Sequence, residues 1–420
     1  MPVEGAPRVG IRDQILLSCF WLAYNFQWAA LLPIAMPSQV TALVGEERKE
    51  LYTGLVLSIG ALLSLVATPV AGAISDRSLS RFGRRRPFLA VGTAINVLFL
   101  ILMAGFGRGD SMPLFLLCYL GVQLGANWAG GPYAGLIPDR VPPEARGSAS
   151  GWLALMTALG MLLGVMAAGA LVRGEHYRPI YLTVAAVLVA MLALTLVGVR
   201  ERPLETSPGR FNARAFAGSF VLRGPRYRDF FFVLFTRALV TMGIYSVFTF
   251  FQFFLKDIVK VDNPVLKASY LIGIIIATGI PTSLAAGALS DRWGRKPLVY
   301  ASGGIMAVAS LLFIGVGRFP SLTAMYWIGA VFGIGYGAYQ AVDWALAIDV
   351  LPSGDSAAKD MGIWHVSLVL PQVLAPALTG VVLSAFKQSS LLMGYTAVFI
   401  LTALWFILGT VFVRQIRSVR

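Results

Sequence analysis

Few residues in this chain could carry a proton or a buried charge, and those few stand in unusual places. Arg237 and Asp343 lie inside long apolar runs, and His365 opens another. An ionisable side chain deep in such a run is costly to keep and is a functional candidate by default. Arg237 falls about 8 residues into its run and Asp343 about 6 residues before Asp349, so helical rise puts them roughly 12 Å and 9 Å deep. The near match makes an Arg237–Asp343 ion pair reachable, and pairing offsets the desolvation of each charge. The pair is a static brace or a proton-exchanging site in which Asp343 cycles between charged and neutral forms, or else Arg237 snorkels to the interface. His365, just after Lys359 and Asp360, reads as a helix-end residue, and His176 has no assigned role.

Polar and aromatic residues accompany the pair at helical spacing. Arg237, Thr241, Tyr245, Phe248 and Gln252 recur at steps of three or four and share one helical face. Tyr336, Gln340 and Asp343 do the same, with Trp344 beside them. Gln123 and Asn127 follow the rule in a third run. In a fourth, Trp21, Asn25 and Trp28 do so, with Tyr24 and Gln27 adjacent. Amides that donate and accept, beside rings that stack on an apolar face, suit a sugar in a wet cavity. The competing reading is helix–helix hydrogen bonding and interfacial aromatics.

The elements that must hold these residues follow from composition. The chain is 57% hydrophobic and 13% charged, with mean hydropathy +0.75. Soluble domains carry about 25% charged residues. Charges here cluster between apolar runs of roughly 20 residues, long enough to cross a bilayer as helices. The weak alternation of a membrane β-barrel is absent. Net charge +14 reads as topology rather than nucleic-acid binding. Cys19 and Cys118 fall inside apolar runs and read as packing residues, not as a disulfide or metal ligands. No nucleophile elbow, phosphate-binding loop or metal-ligand spacing is present, so neither enzyme chemistry nor a cofactor is expected. The first apolar run lacks a small-residue cleavage site and is expected to be a full span rather than a cleaved signal.

Twelve spans are expected, at about 14–36, 51–74, 87–106, 112–137, 147–172, 178–198, 229–255, 264–289, 297–316, 321–348, 361–385 and 392–413. The second is expected to hold no carboxylate before Asp76. The Arg- and Pro-rich stretch 199–228 is the one long connection, dividing an N-terminal bundle (1–198) from a C-terminal bundle (229–420). Roughly two-thirds of the Lys and Arg residues fall on the side of the loops shared with both termini, which predicts cytoplasmic ends.

A duplication supports the two-bundle reading. Gly72-Ala73-Ile74-Ser75-Asp76-Arg77 leads to Gly83-Arg84-Arg85-Arg86-Pro87, and Gly287-Ala288-Leu289-Ser290-Asp291-Arg292 leads to Gly294-Arg295-Lys296-Pro297. A second echo, Asn127 to Pro142 against Gln340 to Pro352, aligns Asp139 with Asp349 and Pro142 with Pro352 at the offset of 210 residues that separates Pro87 from Pro297. Internal repeats of this kind mark secondary transporters.

On these motifs the chain resembles the major facilitator superfamily over nearly its whole length. The stretch G-x-x-S-D-R-x(5)-G-R-R-R-P, with Gly131-Pro132, Asp139, Arg146-Gly147 and Ser150-Gly151, is similar to the sucrose:proton and glycoside–pentoside–hexuronide cation symporters. The resemblance implies an all-α fold of two six-helix bundles around a central cavity, lined by spans 1, 4, 7 and 10. It implies a monomeric carrier in the cell membrane that moves a sugar or glycoside with a proton or other monovalent cation, by rocking of the bundles. It further implies that Asp76 and Asp291 accept hydrogen bonds or face positive helix ends while Arg77, Arg84, Arg292 and Arg295 form charge pairs closing the cytoplasmic side. The competing reading, favoured for the outermost arginines, is that they enforce topology and meet anionic lipid headgroups. Two positions depart from the pattern. Plant sucrose symporters carry an Asp where this chain has Gln123, and sodium-coupled melibiose-type relatives use acidic residues on span 2. Coupling then falls to Asp343, or the protein is an uncoupled uniporter or an exchanger. An exporter of hydrophobic or cationic compounds is the alternative, and it predicts a greasier cavity.

Overall fold

The computed structural model describes residues 10–107, 109–136, 140–141, 146–174, 176–199, 201, 227–350 and 357–417. Residues 202–226 of the expected linker, together with Pro138, Asp139 and Pro142, lie outside the described residues. Among those described, the long elements are all helical. α1 (Ile11–Ala30) passes through a π-turn (Leu31–Ala35) into α2 (Met36–Val44). There follow α3 (Lys49–Ser75), α4 (Arg86–Met103), α5 (Met112–Ala134), α6 (Arg146–Leu171) and α7 (Arg178–Gly198). α8 (Arg228–Phe254) also ends in a π-turn (Leu255–Val259). Next come α9 (Pro264–Trp293), α10 (Arg295–Arg318), α11 (Leu322–Asp349), α12 (Ala357–Lys387) and α13 (Leu391–Phe412). Counting α1 and α2 as one crossing, 11 of these segments are long and apolar enough to cross a membrane. α11 is the other long one, made less apolar by its Gly and Tyr residues.

The expected spans and the helices agree in number, but helix ends run past the apolar runs. α3 begins at Lys49, so it carries Glu50, which is fully buried. The expectation that span 2 holds no carboxylate before Asp76 is corrected on this point. Hydropathy ends a span at its first charge, whereas the backbone continues while its hydrogen bonds can be made.

The described residues pack as two compact units. One comprises Met1–Leu31, Leu63–Ala167 and Leu171–Asn212, and the other Leu32–Leu62, Ala168–Ala170 and Ala213–Arg420, in each case the described residues within these bounds. The segment 32–62 thus packs with the C-terminal helices. Its first boundary falls in the π-turn holding Pro33, where the missing N–H and the bulky ring disfavour a regular α-helical ladder.

Each unit repeats the same helix pairings. In the first, α4 packs on α5, α1 on α7 and α4 on α7. In the second, α10 packs on α11, α8 on α13 and α10 on α13. The duplication in sequence is therefore a duplication of packing. Where lipid tails are as apolar as the side chains, close approach rather than the hydrophobic effect holds helices together, and small residues permit it. Gly125 and Gly335 do this at matching positions. A Cβ on Gly125 would stand 2.7 Å from the Gly92 carbonyl oxygen, and one on Gly335 would stand 2.9 Å from that of Ser302.

Gly125→Ala and Gly335→Ala are each expected to destabilise the protein by about 1–3 kcal/mol, because the added methyl meets backbone that cannot move aside. Thermal unfolding of the purified variants in detergent measures this. Melting temperatures equal to that of the unaltered protein would show that the helices can separate at no cost.

Candidate functional site

In the second unit, Arg237 on α8 and Asp343 on α11 meet. The guanidinium Nη1 lies 2.7 Å from Asp343 Oδ2, and each side chain is 7% exposed. The Tyr339 hydroxyl donates to Asp343 Oδ1 at 3.0 Å. Both carboxylate oxygens thus have a partner, as a buried charge requires. Tyr339 was not singled out in the sequence. It sits one turn before Asp343 on the same helix, a spacing that could have pointed to it.

Around the pair, Tyr245 and Phe248 of α8 and Tyr336 of α11 are half-buried, and Gln340 is exposed. Phe248 packs on Tyr336 with ring centres 5.8 Å apart. The Gln372 amide of α12 donates to the Tyr245 hydroxyl. Gln252 is buried and donates to Ser38 Oγ at 2.6 Å. Thr241 is buried. The Trp344 side chain lies outside the described residues, as does that of His365.

In the first unit the amides are engaged locally. Gln123 donates to the Tyr119 hydroxyl at 2.7 Å. Asn127 donates to the Gln123 carbonyl and side-chain oxygens at 2.7 and 3.0 Å, and accepts from Thr68 at 2.8 Å. Gln27 and Asn96 form a reciprocal pair, the shorter bond being 2.7 Å. Asn25 donates to the Trp21 carbonyl at 2.8 Å, one turn back on its own helix. The aromatic residues stay half-buried. Trp21 stacks on Tyr24 at 5.2 Å, and Tyr24 meets Trp28 edge-on at 6.0 Å.

The duplicated hairpins each place one arginine at helix ends. Arg85 pairs with Asp76 at 2.9 Å, donates to the Pro132 carbonyl at 3.2 Å and reaches Ser75 Oγ at 3.5 Å. It thus lies at the negative C-terminal ends of both α3 and α5, where a cation is favoured. Arg295, 210 residues later, pairs with Asp349 at 3.0 Å and contacts Ser290 Oγ. Glu201 accepts from the backbone N–H groups of Arg85 and Arg86 at 2.9 and 3.0 Å, capping α4. Asp76 therefore has its ion pair with Arg85, a residue the motif reading passed over in favour of its neighbours. Arg77 turns back to the Ala73 carbonyl at 2.7 Å, Arg84 is half-buried and Arg292 is exposed. The side chain of Asp291 lies outside the described residues. Cys19 and Cys118 are buried and free.

Repeated membrane-length helices, an ion pair in the interior of one repeat and basic hairpins at matching turns define a helical membrane transport protein. The sequence profile of the Major Facilitator Superfamily matches residues 15–358, and the chain belongs to that superfamily as a multi-pass transporter. Among its relatives is the multidrug resistance protein MdtG of Citrobacter koseri, 27% identical over 306 residues that cover 71% of this chain and 70% of the relative. MdtG of Salmonella typhimurium is 27% identical over 308 residues, with the same two shares. Two solved structures share the fold at low identity. A bacterial homolog of the human lysosomal transporter Spinster, inward-facing and unoccupied, has TM-score 0.75 and 16% identity, covering 99% of this chain and 98% of that one. The nucleoside transporter NupG has TM-score 0.72 and 15% identity, covering 97% and 100%.

Replacing Arg237 alone by Met is expected to cost about 3–5 kcal/mol, because it leaves the buried Asp343 carboxylate without its counter-charge. The double replacement Arg237→Met with Asp343→Leu should recover most of that loss. Thermal unfolding of the three proteins checks this, and a double variant as unstable as the single one would show that the two charges do not offset each other.

Proposed function

We propose that this protein is a proton-driven secondary carrier that exports hydrophobic and cationic organic compounds, and that it performs no catalysis. The observation that carries the reading is the state of its amides. A sugar presents a hydroxyl on nearly every carbon, and each needs a hydrogen-bonding partner when it leaves water. Gln27, Gln123 and Asn127 have both ends of their amides engaged inside their own compact unit, and Asn25 and Gln252 each donate to a neighbour within theirs. Of the amides singled out in the sequence, Gln340 alone is exposed. What these faces offer instead is ring surface from Trp21, Tyr24, Trp28, Tyr245, Phe248 and Tyr336. Such surface takes up flat apolar groups and attracts cations. The names of the relatives agree with this chemistry. The competing reading, symport of a sugar or glycoside, rests on the hairpin motif shared with the sucrose-type symporters.

In the proposed cycle both termini are cytoplasmic and the monomer is the working unit. Substrate rests against the aromatic faces. The bundles rock and the substrate leaves outside; a proton then taken up there by Asp343 loosens its hold on Arg237, and the return movement carries that proton inward and releases it. The Asp76–Arg85 and Arg295–Asp349 pairs hold the cytoplasmic helix ends in one of the two states.

Three measurements test this. Lipophilic cations should raise the melting temperature of the detergent-solubilised protein, since a ligand that binds only the folded state stabilises it by RT ln(1 + [L]/Kd). Mono- and disaccharides should not, and a stabilising sugar would reverse the assignment. In proteoliposomes, Asp343→Asn should abolish gradient-driven transport and spare exchange at equal concentrations, whereas unchanged accumulation would remove Asp343 from coupling. Asp76→Asn should slow turnover with little change in affinity, and the opposite pattern would contradict a gating role.

A further inference from the structure

The segment 32–62 is joined to the C-terminal helices by charges that the proposed cycle does not use. At its turn, Lys49 Nζ lies 2.6 Å from Asp257 Oδ1 and 3.0 Å from Glu46 Oε2, and the Lys49 side chain is 3% exposed. Lys256 pairs with Glu46, and the Tyr395 hydroxyl donates to Asp257 Oδ2 at 2.6 Å. Next to Lys49, Glu50 is fully buried, and its Oε2 lies 2.7 Å from Lys387 Nζ at the end of α12. The groups around Glu50 are thus Lys49 and Glu46 on its own hairpin, Lys256 and Asp257 after α8, Lys387 on α12 and Tyr395 on α13. Three ammonium groups balance three carboxylates. Burial alone would raise the Glu46 carboxyl, but hydrogen bonds and charge from Lys256 and Lys49 outweigh it and hold Glu46 below the usual carboxylate range.

Glu50 differs from the other two carboxylates in one respect. Its second oxygen, Oε1, is buried and has no hydrogen-bond partner among the described residues, and the buried hydroxyl of Thr53, one turn further along α3, has none either. An unpaired oxygen on a buried carboxylate carries an uncompensated desolvation cost. A proton on Oε1 removes the charge and turns that oxygen into a donor. The cost then passes to Lys387, whose side chain is 21% exposed and can turn towards water. Glu50 therefore has an ionised form that pairs with Lys387 of α12 and a neutral form that gives up this ion pair.

The packing beneath this contact is close. A Cβ on Gly380 would stand 2.8 Å from the Glu50 carbonyl oxygen. Gly54 lies against the Pro376 carbonyl, and Ser58 donates to that of Val373. At the other side, the hairpin begins in the π-turn around Pro33.

We propose that Glu50 is a proton-binding site, and that its protonation frees Lys387 and loosens the turn end of the 32–62 hairpin from the end of α12. The proton comes from solvent and adds to Oε1, while Lys387 keeps its own proton and its charge. This site is separate from Asp343 and titrates whether or not Asp343 takes part in coupling.

The test is a distance measured by pulsed electron paramagnetic resonance in lipid nanodiscs. Spin labels are placed through Glu47→Cys and Ser389→Cys, both exposed positions, in a Cys19→Ser, Cys118→Ser background. From about pH 8 to about pH 5, a span that includes perturbed carboxylates, a longer distance should replace a shorter one. The ratio of the two populations should change by up to about tenfold per pH unit, the limit for a single proton. Glu50→Gln should show the longer distance at every pH, and Asp343→Asn should titrate like its parent. Three results would overturn the proposal. They are a distribution independent of pH in the labelled parent, a Glu50→Gln protein that still titrates, or loss of the response in Asp343→Asn. The parent titration decides even if Glu50→Gln fails to fold.

Discussion

A charge placed inside a helix bundle surrounded by hydrocarbon must find its opposite within hydrogen-bonding reach, because neither water nor counter-ions can screen it. That requirement accounts for the places where this chain brings its buried charges together. Arg237 finds Asp343, Arg85 finds Asp76 and two helix ends, Lys49 finds Asp257, and Lys387 finds Glu50. Each pair fixes one helix against another more specifically than apolar contact can, since apolar side chains in lipid gain little by choosing one another. The same pairs are the natural points of change, because adding one proton removes the reason two helices stay together.

Close backbone approach supplies the rest of the order. Gly125 and Gly335 allow equivalent helices to touch in the two units, and the three shared helix pairings follow from the repeat. A bundle built this way is firm where glycines meet backbone. It can bend where the ladder is already interrupted, as at Pro33. The two properties coexist in the first crossing: α1 belongs to one compact unit, and the continuation from Leu32 belongs to the other.

Substrate chemistry turns on how polar side chains are distributed between structure and ligand. Amides at helical spacing read equally well as ligands for hydroxyl groups or as links between helices. In the first unit Asn127, Gln27 and Asn96 serve as links, and Gln123 is bonded within its own helix. The rings beside them, Trp21, Tyr24 and Trp28, stay half-buried. A one-dimensional pattern cannot make this distinction, because whether an amide is free depends on what the neighbouring helix presents to it.

Much of the architecture was legible in the sequence, since it rests on quantities that add along a chain. Twenty apolar residues cross a bilayer wherever they occur, and a motif written twice at one offset implies two copies of one packing arrangement. The depth match of Arg237 and Asp343 was legible for the same reason, helical rise being constant. Tertiary structure alone decided the rest. It chose Arg85 over its neighbours Arg84 and Arg86 for the Asp76 pair, extended α3 back to bury Glu50 and gave Tyr339 to Asp343. It also grouped residues 32–62 with helices that begin almost two hundred positions later. These outcomes depend on side-chain direction and on which helix lies opposite, and sequence spacing specifies the first only within a single helix and the second not at all.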